Sequence, residues 1–311
     1  MAEHEKDINR YSYSRLSTFK QCPRKHHYAY VEQIPQAENE HTICGKLFHR
    51  CVEQILKGED CVDVYTEFQD LCRTGVLKLE PDLLQYIVDE YFNYYGKKYL
   101  MENTLMVESS IDAPIMGDDY LRVIIDQAFD DGHVVVRDLK TTLSALKYTH
   151  DDVKLNPQLL LYVPFVENEI NRNVEAIEID EVRLAKLKDV PLLKNGKPAV
   201  SKASLALVTY DDYYNALCEQ GLEDDDEYQE VLEYLKHRGH PLFNRIRVQL
   251  LDRNVVDANN RDLKETYLMA SQDPVYRVKG PLCMFCPYQD LCEQDMFNED
   301  SSLRNRIKQN L

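Results

Sequence analysis

The spacing of the hydrophobic positions changes along the chain. Between residues 10 and 100 they recur every three or four residues, the spacing of one face of a helix. Ile43, Leu47 and Cys51, for example, lie four residues apart. We therefore predict an N-terminal helical region, residues 1–103.

After residue 103, short runs rich in β-branched residues replace the helical pattern, and turn-forming residues separate them. The order is three strands, a helix that begins at Asn156, and a further strand. This order predicts an α/β core with a mixed central β-sheet flanked by helices. A lysine-rich stretch with an Asn195-Gly196 turn follows, and the pattern from about residue 223 onward is helical.

The pattern divides the chain into four regions, which we expect to pack as one compact domain. They are the helical region 1–103, the α/β core 104–185, an insertion or subdomain 186–240, and a C-terminal helical segment 241–311.

The stretch IIDQAFDDGHVVVRDLKTT, residues 124–142, predicts a β-hairpin with a three-residue loop at 130–132. Such a loop combines a type I turn with a glycine in the left-handed conformation. In this register Asp126 lies opposite Val136. A two-residue turn would shift the pairing by one residue and put Asp126 and Asp138 on opposite faces.

With the longer loop, Asp126, Asp138 and Lys140 project to the same side of the hairpin. Two carboxylates at diagonal positions, about 7–8 Å apart, can share a hard cation such as Mg²⁺ that keeps water ligands. The Lys140 ammonium can hold a water or stabilise charge on a phosphate. An Asp138–Lys140 ion pair alone would need no metal. Three charged groups on one face of an apolar hairpin, however, would cost folding free energy if they had only a structural role.

Asp126 followed by Asp138-Leu139-Lys140 resembles the PD-(D/E)XK nuclease superfamily, and its RecB-like branch in particular. Two more markers of that branch occur in the expected order. They are a histidine after a glycine, His49 in GKLFHRCVE, and a Q-x-x-x-Y motif in QLLLY, Gln158 to Tyr162.

The resemblance implies a restriction-endonuclease-like fold and a role for each matching residue. It assigns the binding of Mg²⁺ or Mn²⁺ to Asp126, Asp138, His49, the backbone carbonyl of Leu139 and Glu108. Asp112, on the same strand face, competes with Glu108 for that role. Asp126, Asp138, Lys140, Gln158 and Tyr162 are the implied catalytic set. Pro164 predicts a kink or an end in the helix that carries Gln158 and Tyr162.

Three cysteines near the C-terminus have the spacing C-x₂-C-x₅-C: Cys283, Cys286 and Cys292. A C-x₂-C pair also occurs in zinc sites, and three cysteines leave a tetrahedral site one ligand short. The six other cysteines are candidates for the fourth ligand. Cys22 differs from the rest because its surroundings are polar and a proline follows it, as one follows Cys286. Four thiolates suit either zinc or an iron–sulfur cluster.

A subset of RecB-like nucleases has one cysteine near the start of the nuclease module and three with this spacing at its end. The CRISPR-associated iron–sulfur nucleases and the AddB-like proteins are examples. The resemblance implies that Cys22, Cys283, Cys286 and Cys292 bind a [4Fe–4S] cluster. Such a cluster would join the two ends of the chain and restrain the unfolded state.

The net charge of −17 argues against a broad basic surface for nucleic acid, although a local basic groove stays compatible with it. The candidate DNA-contacting residues are Arg15, Arg24, Lys25, Lys147 and Lys154. No apolar run is long enough to span a membrane, and the N-terminus lacks an apolar signal segment. We therefore expect a cytoplasmic protein.

These features together predict a metal-dependent DNA exonuclease that acts on single-stranded ends, in recombination, repair or phage DNA processing. Residues 192–213 resemble a segment of phage-encoded RecB-like exonucleases. The expected partners are DNA and recombination or helicase proteins, and the chain could form oligomers. A non-catalytic DNA-end or recombination adaptor with the same fold is the alternative, and a zinc-stapled structural protein is a third hypothesis.

Overall fold

The computed structural model describes residues 10–36 and 38–297. Its N-terminal part is helical, as the hydrophobic spacing predicts. The helices there are α1 (Tyr13–Gln21), α2 (Pro23–His26), a π-helical turn (His27–Val31), α3 (Glu40–Leu56), α4 (Val62–Arg73), α5 (Leu83–Tyr95) and α6 (Lys97–Asn103). Ser12 and Asn39 cap α1 and α3, because their side-chain oxygens accept backbone N–H groups of the first turn.

A mixed β-sheet of six strands lies at the centre of the described part of the chain. Its strands are β1 (Arg10–Ser12), β2 (Thr104–Met116), β3 (Asp119–Asp130), β4 (Val134–Thr142), β5 (Ala176–Arg183) and β6 (Phe243–Gln249). β4 and β5 run parallel, whereas β3 is antiparallel to β4 and β6 is antiparallel to β5. β1 pairs in parallel and β2 antiparallel with β3. The predicted α/β class, with a mixed sheet flanked by helices, is confirmed.

The remaining helices follow the third long strand. They are α7 (His150–Lys154), α8 (Pro157–Ile170), α9 (Tyr210–Cys218), α10 (Asp226–Arg238), α11 (Asn254–Ala270), a 3₁₀ turn (Pro281–Phe285) and α12 (Gln289–Phe297). Within the described ranges, no helix combines the length and apolar character that a membrane crossing requires.

Helices cover both faces of the sheet because its central strands carry apolar side chains on each face. On one face Val136, Ile177 and Ile179 belong to a hydrophobic cluster that includes residues of α1, α8 and α11. On the other face Leu139 and Val182 belong to a cluster with residues of α3, α4 and α5. The centre of β4 therefore lies between two helical layers.

Two strands are missing from the sequence prediction. β1 precedes the first helix, and β6 lies in the region 241–311 that we predicted to be helical, so that part of the prediction is wrong. Arg245 and Arg247 alternate with apolar residues along β6, but their face of the strand is interior. Each arginine pairs there with an acidic residue of β5. The alternation of charged and apolar residues in β6 therefore does not indicate a strand with one face in solvent.

The hairpin loop also differs from the prediction by one residue. Asp130 pairs with Val134, so the loop is Asp131-Gly132-His133 and Val136 lies opposite Ala128 instead of Asp126. The Asp130 carboxylate accepts the Gly132 N–H at 3.0 Å, which closes this turn. The loop still has three residues, so the alternation of the side chains is unchanged.

Helix α8 begins as predicted, with the Asn156 side chain accepting the backbone N–H groups of the two residues after Pro157. It does not end at Pro164 but continues to Ile170. Tyr162 consequently lies within a continuous helical segment, one turn after Gln158.

The region 186–240 has a hydrophobic cluster of its own, formed around α9 and α10. Its buried members are Leu205, Val208, Tyr213, Leu217, Tyr228, Val231, Leu232 and Leu235. None of these residues belongs to either sheet cluster.

Buried ion pairs connect β4, β5 and β6. The Arg137 guanidinium donates to a Glu178 oxygen at 2.5 Å, and both side chains are only 1% exposed. Arg247 donates to the other Glu178 oxygen at 2.8 Å, and Arg245 pairs with Asp180. Buried charges are costly unless they are paired, so these contacts favour the observed register of the three strands.

Replacement of Glu178 by alanine should destabilise the fold strongly, because it leaves Arg137 and Arg247 without their shared carboxylate. We expect the free energy of unfolding, measured with urea, to fall by about 3–5 kcal/mol. Glu175→Ala is the control, since Glu175 pairs with His133 at the surface, and its cost should stay below about 1 kcal/mol. Equal losses in the two variants would contradict the assigned role of the buried pairs.

Candidate metal centre

Strands β3 and β4 separate after the Gln127–Arg137 pair, and the candidate site lies in the resulting fork. Past this point the backbone N–H of Leu139 donates to Oδ2 of Asp126, at 2.8 Å. The side chain of Asp126 is 12% exposed, whereas Asp138 is fully buried. The Asp126 side chain of β3 thus accepts a backbone N–H of β4 that a carbonyl group of β3 would accept in a continuous ladder.

Helix α3 crosses β4 closely enough to place His49 at the fork. A Cβ atom on Gly45 would lie 2.9 Å from Oγ1 of Thr141, a distance that forces something to move. Glycine at position 45 therefore permits the close approach of the helix to the strand. His49 lies one turn later on the same helical face.

Both ring nitrogens of His49 face oxygen atoms. Nδ1 lies 3.0 Å from a Glu108 oxygen, and Nε2 lies 2.9 Å from the Leu139 carbonyl oxygen. The imidazolium, with two N–H groups, satisfies both contacts. Burial lowers the pKa of His49, but the Glu108 hydrogen bond and the negative charge of Asp126 outweigh it and raise the pKa to about 8. A cation bound among these oxygens would compete with that proton.

Glu108 has a φ of 43°, in the left-handed region, although it lies within the long strand β2. Such backbone strain in a residue other than glycine persists where surrounding contacts enforce it, and it is concentrated at functional sites. Asp112, its competitor in the sequence, accepts hydrogen bonds from Nε and Nη2 of Arg122 at 2.8 and 2.7 Å. The structure therefore brings Glu108, and not Asp112, to His49.

Lys140 lies on the other side of Asp138. Its Nζ is 2.7 Å from Oδ2 of Asp138, yet neither Asp138 oxygen accepts a hydrogen bond of good geometry among the described residues. Burial and the Asp126 charge raise the pKa of Asp138 to about 7 against the effect of Lys140. The orphaned oxygens of a buried carboxylate suit an additional cation.

The Q-x-x-x-Y motif reaches the fork from the α8 side. Lys140 Nζ donates to Gln158 Oε1 at 3.3 Å, and Gln158 Nε2 donates to the Tyr162 hydroxyl at 2.7 Å. Tyr162 is 5% exposed, and burial together with the Asp126 charge raises its pKa. A hydrogen-bonded chain thus links the lysine to both motif residues.

His49, Glu108 and Asp126 can hold one metal ion, since their ligand atoms all lie within 4.8 Å of one another. Among the residues that the structure describes, this is the only group of three or more histidine, cysteine and acidic side chains that meets this spacing. The Leu139 carbonyl oxygen lies next to this group, 2.9 Å from Nε2 of His49. Asp138 lies outside the group, although its charge raises the pKa of His49.

The four predicted cluster cysteines line one cavity of about 520 Å³ but do not form a close ligand group. Cys22 lies between α1 and α2, Cys283 and Cys286 lie at the 3₁₀ turn, and Cys292 lies in α12. Burial raises the pKa of the Cys286 thiol, and Cys22 and Cys292 contribute to the rise. The two ends of the described chain therefore do meet at this cavity.

The candidate DNA-contacting residues are dispersed. The Arg15 guanidinium lies 4.0 Å from the ring centroid of Tyr11 and donates to the Arg10 carbonyl. Arg24 and Lys25 line the cysteine cavity. Lys147 and Lys154 are exposed around α7, and Lys147 lies in the loop that follows β4. The sequence analysis noted the glycine before His49 but assigned no role to Gly45, whose packing against Thr141 only the structure reveals.

The comparisons agree with the fold. The family model described as the PD-(D/E)XK nuclease superfamily matches residues 10–293. The crystal structure of a "putative exonuclease" from Eubacterium rectale has a similar fold, with a TM-score of 0.50 and 11% sequence identity. The similarity covers 93% of this chain and 92% of that one. No curated protein matches the chain.

Members of the matched family use divalent metal ions, in line with the acidic group at the fork. The chain belongs to the PD-(D/E)XK nuclease superfamily.

Proposed function

We propose that the protein is a metal-dependent DNA exonuclease of the RecB-like type that hydrolyses phosphodiester bonds at single-stranded ends. The observation that carries the proposal is the fork, where His49, Glu108 and Asp126 converge beside the Asp138–Lys140 pair. A bound Mg²⁺ or Mn²⁺ would polarise the phosphate and lower the pKa of a bound water. Asp126, Asp138, His49, Glu108 and the Leu139 carbonyl are the residues that would hold it.

Lys140 serves as a donor in this proposal. Burial lowers its pKa, but the negative charge of Asp138, whose Oδ2 lies 2.7 Å from Nζ, outweighs burial, so the pKa is raised above its ordinary value. The side chain therefore stays an ammonium at neutral pH. It can hold a water by hydrogen bonding and stabilise negative charge on phosphate oxygens, but it cannot take up the proton of that water.

Gln158 and Tyr162 orient Lys140 and line the approach to it. The hydrogen bond from Lys140 to Gln158 restricts the position of the ammonium group. The Gln158 amide is held in turn, because its Nε2 donates to the Tyr162 hydroxyl. The Tyr162 hydroxyl keeps its own proton, because its pKa is raised. The phenol can therefore donate to a phosphate oxygen.

We further propose that Cys22, Cys283, Cys286 and Cys292 bind a [4Fe–4S] cluster. A mononuclear zinc site would bring its sulfur atoms to about 3.8 Å from one another, given Zn–S bonds of about 2.3 Å. A four-iron cluster spaces its cysteines more widely, because each thiolate binds a different iron. The cavity that the four cysteines share supports the proposal.

The proposed regions of the chain are arranged around the nuclease core. Residues 1–103 and 241–311 would flank the nuclease core 104–185, and residues 186–240 would be an insertion. The protein would work on DNA in recombination, repair or phage DNA processing, with recombination or helicase proteins as partners. Intact Asp126, Asp138 and Lys140 favour catalysis over an adaptor role.

Asp126→Asn should slow the cleavage of a linear, end-labelled single strand in Mn²⁺ by about a hundredfold or more, because one ligand charge at the fork is lost. Asp112→Asn, which changes an acidic residue on the neighbouring strand β2, should keep wild-type cleavage. A circular single strand of the same sequence should resist the enzyme. Equal cleavage by the wild type and Asp126→Asn would refute the catalytic assignment, and cleavage of circles would refute the requirement for ends.

Protein purified without oxygen should contain about four irons per chain. Cys22→Ser should lose most of that iron, because the substitution removes one of four thiolate ligands. Cys218→Ser is the matched control, since Cys218 is exposed on α9 and should leave the iron content unchanged. Stoichiometric zinc in place of iron, or iron retained by Cys22→Ser, would contradict the cluster assignment.

A further inference from the structure

A loop of residues 143–149 joins β4 to α7 and carries Lys147 and Tyr148 past the candidate site. The Tyr148 ring is half-buried and packs against the sheet cluster that includes α8. Lys147 is exposed, with its Nζ 5.7 Å from the centroid of that ring. Burial raises the pKa of Tyr148 and the Lys140 ammonium opposes the rise, so the phenol lies within electrostatic range of Lys140.

A fully buried carboxylate, Glu181, holds this loop by its backbone. Its oxygens accept the N–H of Lys147 at 2.9 Å and the N–H of Tyr148 at 3.2 Å. Asn244 completes the contact, because its Nδ2 donates to the Tyr148 carbonyl at 3.1 Å. Both backbone polar groups of Tyr148 are therefore fixed by side chains from the sheet.

The sheet register explains why Glu181 and Asn244 lie there. Glu181 of β5 pairs with Lys140 of β4 and with Asn244 of β6, so the three side chains emerge on one face of adjacent strands. A buried carboxylate is costly unless N–H donors satisfy it. The loop supplies those donors, and its conformation beside Lys140 is thereby restricted.

We propose that Lys147 and Tyr148 bind the nucleic-acid strand next to Lys140 and that Glu181 is the positioning residue for this contact. The inference rests on the proposed nuclease function and adds a strand-binding contact to it. An aromatic face on which a base can stack, beside a cation for the adjacent phosphate, is the combination typical of single-strand binding. The Tyr162 ring is only 5% exposed and its hydroxyl accepts a hydrogen bond from Gln158, whereas the Tyr148 ring in the loop is partly exposed.

The direct test measures the affinity for a fluorescently labelled single strand in Ca²⁺, a cation chosen to allow binding without cleavage. Tyr148→Ala should weaken binding by about tenfold or more, because the stacking face is lost. Tyr148→Phe keeps that face and should stay within about twofold of the wild type. Tyr214→Ala, on the insertion helix α9, is the control and should bind normally. In Mn²⁺, Tyr148→Ala should raise KM and leave kcat nearly unchanged.

The role of Glu181 has its own readout. Glu181→Ala should weaken strand binding as Tyr148→Ala does, and it should also speed trypsin cleavage after Lys147, because the loop loses its acceptor. Glu181→Gln keeps an acceptor oxygen and should restore much of both properties. Unchanged strand affinity in Tyr148→Ala would overturn the inference, as would a Glu181→Ala variant with wild-type affinity and trypsin sensitivity.

The outcomes separate this inference from the proposed function. A wild-type protein that binds the strand through Tyr148 but never cleaves it would refute the nuclease function alone. Cleavage that is indifferent to Tyr148→Ala would refute the strand contact alone. A wild-type protein that does not bind single strands would overturn both.

Discussion

The separation of β3 and β4 after the Gln127–Arg137 pair is the constraint on which the candidate site depends. Continued pairing would fill the space between the strands with backbone hydrogen bonds. In the fork, Oδ2 of Asp126 accepts the Leu139 N–H instead. The opening also gives access from both helical layers, so His49 reaches it from α3 and Gln158 reaches it from α8.

Charge compensation differs between the fork and its surroundings. Beneath it, Glu178 is paired with two cations, Arg137 and Arg247. At the fork, Asp138 has Lys140 as its near cation, yet neither of its oxygens accepts a well-formed hydrogen bond among the described residues. The Glu108 hydrogen bond and the Asp126 charge raise the pKa of His49, and burial together with the Asp126 charge raises the pKa of Asp138. A divalent cation would offset the negative charge there.

The sequence predicted the parts of the site that are local in the chain. Asp126, Asp138 and Lys140 lie within one hairpin, so alternation along two strands was sufficient to group them. The loop was displaced by one residue because the Asp130 side chain closes the turn, a contact that propensities do not reveal. Strand β6 was missed because its arginines look like surface residues until Glu178 and Asp180 of β5 lie opposite them. The choice of Glu108 over Asp112, and the clamp made by Glu181, likewise required the positions of distant strands.

The most direct measurement is the location of Mn²⁺ by anomalous X-ray diffraction from crystals of the wild-type protein. The account predicts one strong peak in the fork, about 2.0–2.3 Å from an Asp126 oxygen and bordered by His49, Glu108 and the Leu139 carbonyl, at distances typical of hard divalent cations. A peak elsewhere, or none at saturating Mn²⁺, would contradict the claim that the fork is a metal centre.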